Sequence, residues 1–530
     1  MLPRNSTGSR DLAHPDLALA VVVTGVVIAA VDATIVVLAL PEIQRALKVD
    51  VASVIWVIIG YLLVMTVLSM QVGRLGDMFG RVRMYEAGFL VFIVGSFLCA
   101  LAFNEASLIA FRVLQGAGGA LISANSGAVI ADIFPPEKRG RAYGFTAVGW
   151  SVGAVLGIVI GGVIVTYIDW RWIFWINVPI GLVALVAATR ILREKVEQTH
   201  KSIDWAGMIL LGTGLFGVLW GMTELAREPF NATIGTFIGA GVVILAAFAV
   251  AETKVRDPMI HFSLLRVPTM SASLFASLVQ AMANFSVLFL LIMYLQGVKH
   301  LSPLHASLLL VPGYVIGSFM GPLAGKTADR RSPVLPATLG LAAEAVALVI
   351  YASLGVGSSL WIVIAASIIN GLGGAAFFPA NNSAVMKASP PAMFGISSGM
   401  LRTFSNVGMV FSFTISIVIA ALSIPRRAAF AIFVGTTHLK KQVAALFTTG
   451  LHSAFYASAG LMLLAALLSA TRVLSRDRPA FGGPQTGTGG SDSDMVAGSG
   501  ARGSARSAIG EPGPDIDNAP AVPAGPGAGI

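Results

Sequence analysis

The chain contains fourteen apolar runs of about twenty residues or more, separated by short polar segments. An α-helix needs about 20 mainly apolar residues to cross the hydrocarbon core of a bilayer. We therefore predict an all-α polytopic membrane protein with 14 transmembrane helices. The predicted spans are 17–40, 53–72, 84–103, 106–130, 142–167, 172–192, 205–223, 232–251, 269–293, 303–323, 335–353, 359–385, 396–424 and 449–472.

Composition and charge support this class of protein and exclude others. Charged residues make up 12% of the chain, whereas soluble domains carry about 25%. A membrane β-barrel would show segments of about ten residues with alternating polarity, and the sequence has none. The net charge of +9 comes from basic residues in the short segments between spans. We therefore expect a lipid bilayer as partner and no nucleic acid.

The distribution of Lys and Arg predicts the orientation. If the N-terminus is cytoplasmic, the inner segments carry more than twice as many basic residues as the outer segments. Cytoplasmic loops of membrane proteins are enriched in Lys and Arg. We predict a multi-pass protein of the cytoplasmic (inner) membrane with both termini in the cytoplasm.

Residues that would support a cofactor or an enzyme active site are not apparent in the sequence. Cys99 is the single cysteine, and the seven histidines show no ligand spacing, so we predict no disulfide, no metal and no cofactor. No phosphate-binding loop of the GxxxxGK[ST] type occurs, which disfavours ATP-driven pumping. No nucleophile–base arrangement is apparent. The predicted protein is not an enzyme.

Asp32 interrupts the first apolar run. A carboxylate near the middle of a membrane costs about 2.5–3.5 kcal/mol on insertion scales, so such acids usually face a bundle interior or an aqueous cavity. We interpret Asp32 as a residue that handles protons or cations. A structural hydrogen-bond anchor is the alternative.

A weak internal repeat divides the chain into two halves. GRLGD begins at Gly73 after the second span, and GKTAD begins at Gly325 after the tenth. Two related halves with a binding site between them are typical of secondary transporters. The predicted organisation is an N-terminal segment (1–16), a six-helix bundle (17–192), a two-helix insertion (193–268), a second six-helix bundle (269–475) and a disordered Gly/Pro-rich tail (476–530).

Five stretches resemble motifs of the major facilitator superfamily, and specifically its fourteen-span drug:proton antiporter family, the relatives of the EmrB and QacA multidrug exporters. They are GRLGDMFGR (73–81), VDATIVVLALP (31–41), LIAFRVLQGAGGA (108–120), GWSVGAVLGIVIGG (149–162) and WRWIFWINVPIG (170–181). The resemblance implies the major facilitator fold, in which two six-helix bundles are joined by two additional central helices. It also implies alternating access coupled to protons.

The resemblance assigns roles to residues of these motifs. It implies that Arg112 tunes the protonation of Asp32, although Arg112 as a structural anchor for carbonyl groups remains an alternative. Glu344 is a further acid inside a span and a candidate for proton coupling, and a position facing a neighbouring helix is the alternative. The candidate gating residues are Gly73, Asp77, Gly80, Arg81, Gly153, Gly157, Gly161 and Asp329.

Two departures from the family pattern stand out. The fifth-helix motif usually has Pro after the glycine that is Gly157 here, and this chain has Ile158. The thirteenth span of some relatives carries acids that help to bind cationic drugs, whereas this span contains Arg402 and no acid. The second departure disfavours a strongly dicationic substrate.

Aromatic and amide side chains suit a cavity for weakly specified amphipathic ligands. The candidate cavity residues are Trp56, Tyr61, Gln115, Asn284, Phe378 and Asn381. For each of them, helix packing is the alternative. We predict a proton-coupled exporter of amphipathic, drug-like small molecules. An exporter of one endogenous solute and a non-transporting receptor or scaffold are the alternatives, and a periplasmic adaptor stays an open question.

Overall fold

The structure is a computed structural model that describes residues 15–134, 136–194, 203–255, 258, 260–330, 332–390, 393–422 and 441–474. The predicted tail (476–530) lies outside the described residues, as does nearly all of the predicted N-terminal segment (1–16).

All regular secondary structure in the described part is helical. The helices are α1 (Pro15–Leu47), α2 (Val51–Val54), α3 (Trp56–Phe79), α4 (Arg81–Ala100), α5 (Glu105–Ile133), α6 (Pro136–Tyr167), α7 (Trp172–Trp175), α8 (Asn177–Ile191), α9 (Trp205–Arg227), α10 (Ala232–Glu252), α11 (Phe262–Leu265), α12 (Pro268–Asn284), α13 (Val287–Gly297), α14 (Pro303–Leu308), α15 (Val311–Arg330), α16 (Val334–Tyr351), α17 (Leu360–Ala388), α18 (Phe394–Leu422) and α19 (Lys441–Leu474).

Within the described residues, 14 helical stretches are long and apolar enough to cross a membrane. This number confirms the sequence prediction. The ninth and tenth spans are each interrupted by a short break, between α12 and α13 and between α14 and α15. The membrane-spanning helices extend beyond the predicted apolar runs at several ends, because polar residues continue the helices past the apolar core.

The successive spans run in alternating directions, and this defines two ends of the molecule. We call the end where α3 and α5 finish and α4 and α6 begin the Gly80 end. The opposite end, where α6 finishes and α7 begins, is the Asp169 end.

Glycines on one face of α6 let this helix approach α1 closely. Gly153, Gly157 and Gly161 recur every four residues and therefore share a face. A methyl group added to Gly153 would lie 2.7 Å from the carbonyl oxygen of Val27, and one added to Gly157 would lie 2.7 Å from that of Val31. Backbone contact at this distance requires glycine on α6, so the motif 149–162 positions the helix that carries Asp32.

A matching glycine contact joins the third and fourth spans of each half of the chain. A methyl group on Gly118 of α5 would lie 2.8 Å from the carbonyl oxygen of Gly88 on α4. A methyl group on Gly373 of α17 would lie 2.6 Å from the carbonyl oxygen of Gly340 on α16. The matching contacts extend the internal repeat from the GRLGD and GKTAD motifs to the helix packing.

The two helices of the central insertion, α9 and α10, pack on each other and on the N-terminal bundle. Trp56 of α3 lies 5.5 Å from the ring of Phe216 and 5.7 Å from that of Trp220, both on α9. At the Asp169 end, the guanidinium of Arg227 lies 2.9 Å from Asp50 Oδ1. These contacts attach α9 to the side of the N-terminal bundle.

The two bundles meet directly at the Asp169 end. The backbone N–H of Leu304 on α14 donates to Thr166 Oγ1 near the end of α6, at 3.1 Å. A methyl group on Gly162 would lie 2.5 Å from Ser307 Oγ and 3.0 Å from the Cα of Leu304. The structure therefore has a closed contact between α6 and α14 at this end.

Candidate functional site

Asp32 lies inside the N-terminal bundle, where side chains from two other helices surround it. Arg112 Nη1 of α5 lies 2.8 Å from Asp32 Oδ2. Asp32 Oδ1 accepts hydrogen bonds from Gln115 Nε2 at 2.9 Å and from Asn177 Nδ2 at 3.2 Å. The carboxylate of Asp32 therefore has a counter-ion and two further donors.

Arg112 is the centre of this cluster. Its Nε donates to the carbonyl oxygen of Val57 on α3 at 3.1 Å, and its Nη1 also donates to Gln115 Oε1 at 2.7 Å. The guanidinium stacks over the ring of Tyr61, with 4.1 Å between Cζ and the ring centroid. A cation over an aromatic ring in a desolvated site contributes about 2 kcal/mol. Arg112 therefore makes the contacts expected from both interpretations. It pairs with Asp32, as a proton-tuning residue would, and it binds a backbone carbonyl group, as a structural anchor would.

The cluster is sealed from solvent in this conformation. Asp32 and Gln115 are 0% exposed, and Arg112 is 1% exposed. Breaking a buried ion pair by removing one partner typically costs about 3–5 kcal/mol, since the other charge remains buried. A change in the charge of Asp32 therefore acts on the packing of α1 against α5 and α8.

Glu344 lies in the C-terminal bundle, and neutral side chains surround it. Gln280 Nε2 lies 3.2 Å from Oε1 and 3.1 Å from Oε2, and Asn284 Nδ2 lies 3.1 Å from Oε1. Glu344 is 0% exposed. Among the described residues, no cationic side chain lies within ion-pair distance of its carboxyl group.

The glycine contacts relate Glu344 to a residue of the N-terminal half. A methyl group added to Gly118 would contact the backbone N of Phe92. A methyl group added to Gly373 would lie 2.9 Å from the backbone N of Glu344. Glu344 therefore occupies the place in the second half that Phe92 occupies in the first. The two acidic centres are consequently not copies of one site.

The GRLGDMFGR motif forms a sharp junction between two helices. Gly80 is the single residue between α3 and α4, with φ of +108°. Arg81 contacts Asp77 Oδ1 at 2.9 Å and Asp132 Oδ1 of α5 at 2.6 Å. Asp77 therefore pairs with Arg81, four residues later in the same motif.

The N-terminus of α4 has a different acidic partner. Glu194 accepts from the backbone N–H of Arg81 at 2.9 Å and from that of Arg83 at 3.0 Å. Carboxylates are favourable at helix N-termini, where backbone N–H groups lack partners. Glu194, three residues after the end of α8, thus ties the sixth span to the third.

Two other predicted gating positions differ from this junction. A methyl group added to Gly73 would meet nothing within 4 Å. Asp329 lies in the last turn of α15, and its side chain lies outside the described residues.

α6 runs unbroken past Ile158, which is buried, so the absence of the usual Pro coincides with a continuous helix.

The predicted cavity residues occupy three different environments. Trp56 packs on the inserted helix α9, and Tyr61 and Gln115 belong to the Arg112 cluster. Asn284 bonds Glu344, and Asn381 Oδ1 accepts from Arg472 Nη1 at 2.9 Å. Phe378 is 46% exposed, the largest exposed fraction of the six. Phe378 is therefore the most exposed member of the set.

Sequence reasoning missed three polar residues that complete these sites. They are Asn177 at Asp32, Glu194 at the Gly80 junction, and Gln280 at Glu344. Asn177 lies within the quoted WRWIFWINVPIG stretch, and a buried amide in a membrane span was the available signal. The other two gave no signal that distinguished them from ordinary helix-end or helix-face residues.

An all-helical membrane fold of this kind, with buried charges inside the bundles, is typical of membrane transporters. A family model described as the Major Facilitator Superfamily matches residues 22–413. The chain belongs to the major facilitator superfamily.

Similar curated proteins are transporters and exporters. The tetracenomycin C resistance and export protein of Streptomyces glaucescens is 32% identical, over 76% of this chain and 75% of that protein. The riboflavin transporter RibZ of Clostridioides difficile is 29% identical, over 74% of this chain and 85% of that protein. Multidrug resistance protein 3 of Bacillus subtilis is 32% identical, over 59% of this chain and 62% of that protein.

A solved structure supports the fold independently. A bacterial homolog of the human lysosomal transporter Spinster superimposes with a TM-score of 0.64, at 16% identity, over 89% of this chain and 99% of that chain. The predicted fold class is therefore confirmed, and the protein is a membrane transporter related to multidrug and antibiotic exporters.

Proposed function

We propose that this chain exports amphipathic, drug-like small molecules across the cytoplasmic membrane in exchange for protons. The observation that carries the proposal is the buried ion pair of Asp32 and Arg112. A charge pair inside a membrane bundle is expensive and marks ion or proton pathways. The relationship to a tetracenomycin exporter and a multidrug resistance protein supports the export direction and the substrate class.

The ion pair links protonation to helix packing. Addition of a proton to Asp32 removes the negative charge that balances Arg112. The bonds from Arg112 and Asn177 hold α1 against α5 and α8, and they weaken when the charge is lost. Since α1 also packs on the glycine face of α6, a change at Asp32 reaches the helix that closes on α14. Proton binding and substrate binding that favour different conformations are coupled reciprocally.

The available driving force is sufficient. One charge that moves through about 100 mV yields about 2.3 kcal/mol, and one pH unit adds about 1.4 kcal/mol. Together they support a substrate gradient of several hundredfold, at about 1.4 kcal/mol per decade. We further propose that the Gly80 end faces the cytoplasm, as the basic residues near it indicate.

The positive charge of Arg402 on α18 guides the choice of substrates to test. Arg402 of α18 is exposed and donates from Nη1 to the carbonyl oxygen of Ser123 on α5, at 3.2 Å. It therefore reaches from one bundle to the other at the level of the spans. A guanidinium here favours neutral or anionic amphipathic compounds over dications, so a substrate screen includes anionic dyes and polyketides beside cationic dyes. Riboflavin is included because RibZ is a relative.

The test measures proton movement in inverted vesicles that contain the protein and are energised to acidify the lumen. Addition of a substrate is expected to release luminal protons in the wild type and not in Asp32→Asn. Asp169→Asn is the matched control, since Asp169 is exposed at the end of the molecule, and it is expected to behave like the wild type. Proton release that persists in Asp32→Asn would refute the role of Asp32.

A further inference from the structure

The carboxyl group of Glu344 is held between α12 and α17 in a site shaped by two glycines. A methyl group added to Gly374 would lie 3.1 Å from Glu344 Oε1, and one added to Gly373 would lie 2.7 Å from its Cγ. Any larger residue at these positions would crowd the acid. The packing thus leaves room for this side chain and directs its oxygens to Gln280 and Asn284.

The neighbouring helices provide no ion-pair partner for this carboxyl group among the described side chains. α12 and α13 carry no charged residue. On α19, Arg472 donates to Ser273 and Asn381. His452, also on α19, contacts the carbonyl oxygen of Leu354.

The other titratable residues on packed helices are not bonded to Glu344 either. Among the described side chains they are Lys387 on α17, Tyr351 on α16, Tyr314 and Lys326 on α15, and Tyr456 on α19. An ionised carboxylate buried without a cation is costly, and such a group becomes neutral instead.

The two amide side chains can satisfy Glu344 in both protonation states. An amide has donors at nitrogen and acceptors at oxygen, and a half-turn of the group exchanges them. As placed, Asn284 donates to the carboxylate, and its Oδ1 is buried without a hydrogen-bond partner. After a half-turn, that oxygen faces Glu344 and accepts the O–H of the protonated acid. Arg112, in contrast, can only donate, so Asp32 Oδ2, the oxygen that faces Arg112, has no acceptor in that direction for a proton.

We propose that Glu344 is a second exchangeable proton-binding site, so that two protons move against each substrate molecule. This inference rests on the proposed function. When Asn284 is turned, the proton resides on a carboxyl oxygen of Glu344 and is donated to Asn284 Oδ1. Loss of the proton and the return of Asn284 leave a carboxylate stabilised by the amide donors of Gln280 and Asn284. The second proton has a clear consequence for a monocationic substrate, because two protons against one cation move one net charge.

The first experiment reads the proton on Glu344 without any substrate. Infrared difference spectra of the purified full chain in lipid are recorded as the pH is changed. The wild type and Asp32→Asn are expected to show the carbonyl band of a protonated carboxylic acid that is lost at higher pH. The double variant Asp32→Asn/Glu344→Gln is expected to lack that band, and Asp32→Asn/Glu344→Asp to show it shifted. A band that persists in Asp32→Asn/Glu344→Gln, or its absence from Asp32→Asn, overturns the proposal.

The second experiment measures the charge moved per cycle in proteoliposomes, with ethidium as the probe cation. A potential of about 100 mV is expected to change ethidium accumulation about 50-fold in the wild type, which corresponds to about 2.3 kcal/mol for one net charge. In Glu344→Gln the potential is expected to have no effect, while a pH gradient still drives exchange. A potential dependence that is unchanged in Glu344→Gln contradicts the two-proton inference and leaves the proposed function intact. Absence of ethidium-linked proton movement in the wild type counts against the proposed function, and the infrared result still decides the state of Glu344.

Discussion

Arg112 Nη1 lies within hydrogen-bond distance of both Asp32 Oδ2 and Gln115 Oε1, at 2.8 Å and 2.7 Å. The same guanidinium reaches the carbonyl oxygen of Val57 through Nε. One planar group therefore links α1, α3 and α5 inside the bundle. The N–H donors of the guanidinium point in fixed, different directions, and each reaches a different acceptor. A lysine ammonium at the end of a flexible chain does not reproduce this arrangement.

Arg112→Lys is therefore expected to impair both stability and transport although it keeps the charge. Each lost hydrogen bond to a charged group costs about 1.5–3 kcal/mol, so exchange falls at least about tenfold and the midpoint of thermal unfolding decreases. Transport in proteoliposomes and unfolding in detergent measure the two effects. Arg45→Lys is the control, because Arg45 pairs with Glu42 at the surface of α1. Equal behaviour of the two variants would contradict the linking role of Arg112.

Gly157→Ala is expected to destabilise the packing of α6 on α1. The added methyl group would lie 2.7 Å from the carbonyl oxygen of Val31, and the two helices must move apart. Overpacking of this kind typically costs about 1–3 kcal/mol. The midpoint of thermal unfolding is the measurement.

The control for this prediction is Gly239→Ala on α10. A methyl group at Gly239 would meet nothing within 4 Å, and alanine is a better helix former than glycine. Its unfolding midpoint is expected to stay the same or rise slightly. If both variants unfold at the wild-type temperature, the close approach at Gly157 is not required for stability.

Gly80→Ala and Gly73→Ala separate two glycines of one motif. Gly80 has φ of +108°, and a methyl group there would lie 2.5 Å from Glu194 Oε2. The left-handed region costs a residue with a side chain about 1–2 kcal/mol, and the contact with Glu194 adds to this. Gly73 has open space around it.

We expect Gly80→Ala to lower stability and exchange, and Gly73→Ala to preserve stability. A Gly73→Ala variant that is as stable as the wild type but fails to transport would show that Gly73 acts in another conformation. Loss of stability in Gly73→Ala would contradict the open space seen here.

A disulfide between positions 162 and 307 is expected to lock the contact between α6 and α14. A Cβ atom on Gly162 would lie 2.5 Å from Ser307 Oγ, which places the two Cβ atoms within reach of a disulfide. The double variant Gly162→Cys/Ser307→Cys is expected to lose transport after oxidation and to regain it after reduction. Alternating access requires this end to open, so the effect tests the closed contact directly.

The chain offers a favourable background for this cross-link. Cys99 is its one native cysteine and is buried, so it is a poor competitor for the new pair. The reduced double variant and each single variant serve as controls for steric effects at Gly162. Full transport by the oxidised, cross-linked protein would show that the Asp169 end does not open at this contact.

Much of the architecture follows from the sequence because hydropathy is a local property. The fourteen spans could be counted from apolar runs, since each helix must satisfy its own backbone hydrogen bonds in the membrane. The family motifs are also local sequence patterns. Asp32 was recognisable because it is an acid within an apolar run. For Arg112, the sequence indicated a buried cation in need of a partner.

The sequence alone determined the class of protein and the number of spans. It also identified Asp32, Arg112 and Glu344 as charged residues inside those spans. Only the tertiary structure decided that Asp32 has a counter-ion and Glu344 has neutral amides, and that Glu194 caps α4. Asn177 and Asp32 are 145 positions apart, and their contact depends on the rotation and depth of two packed helices. Those quantities arise from the sum of all interhelical contacts, which no single stretch of the chain encodes.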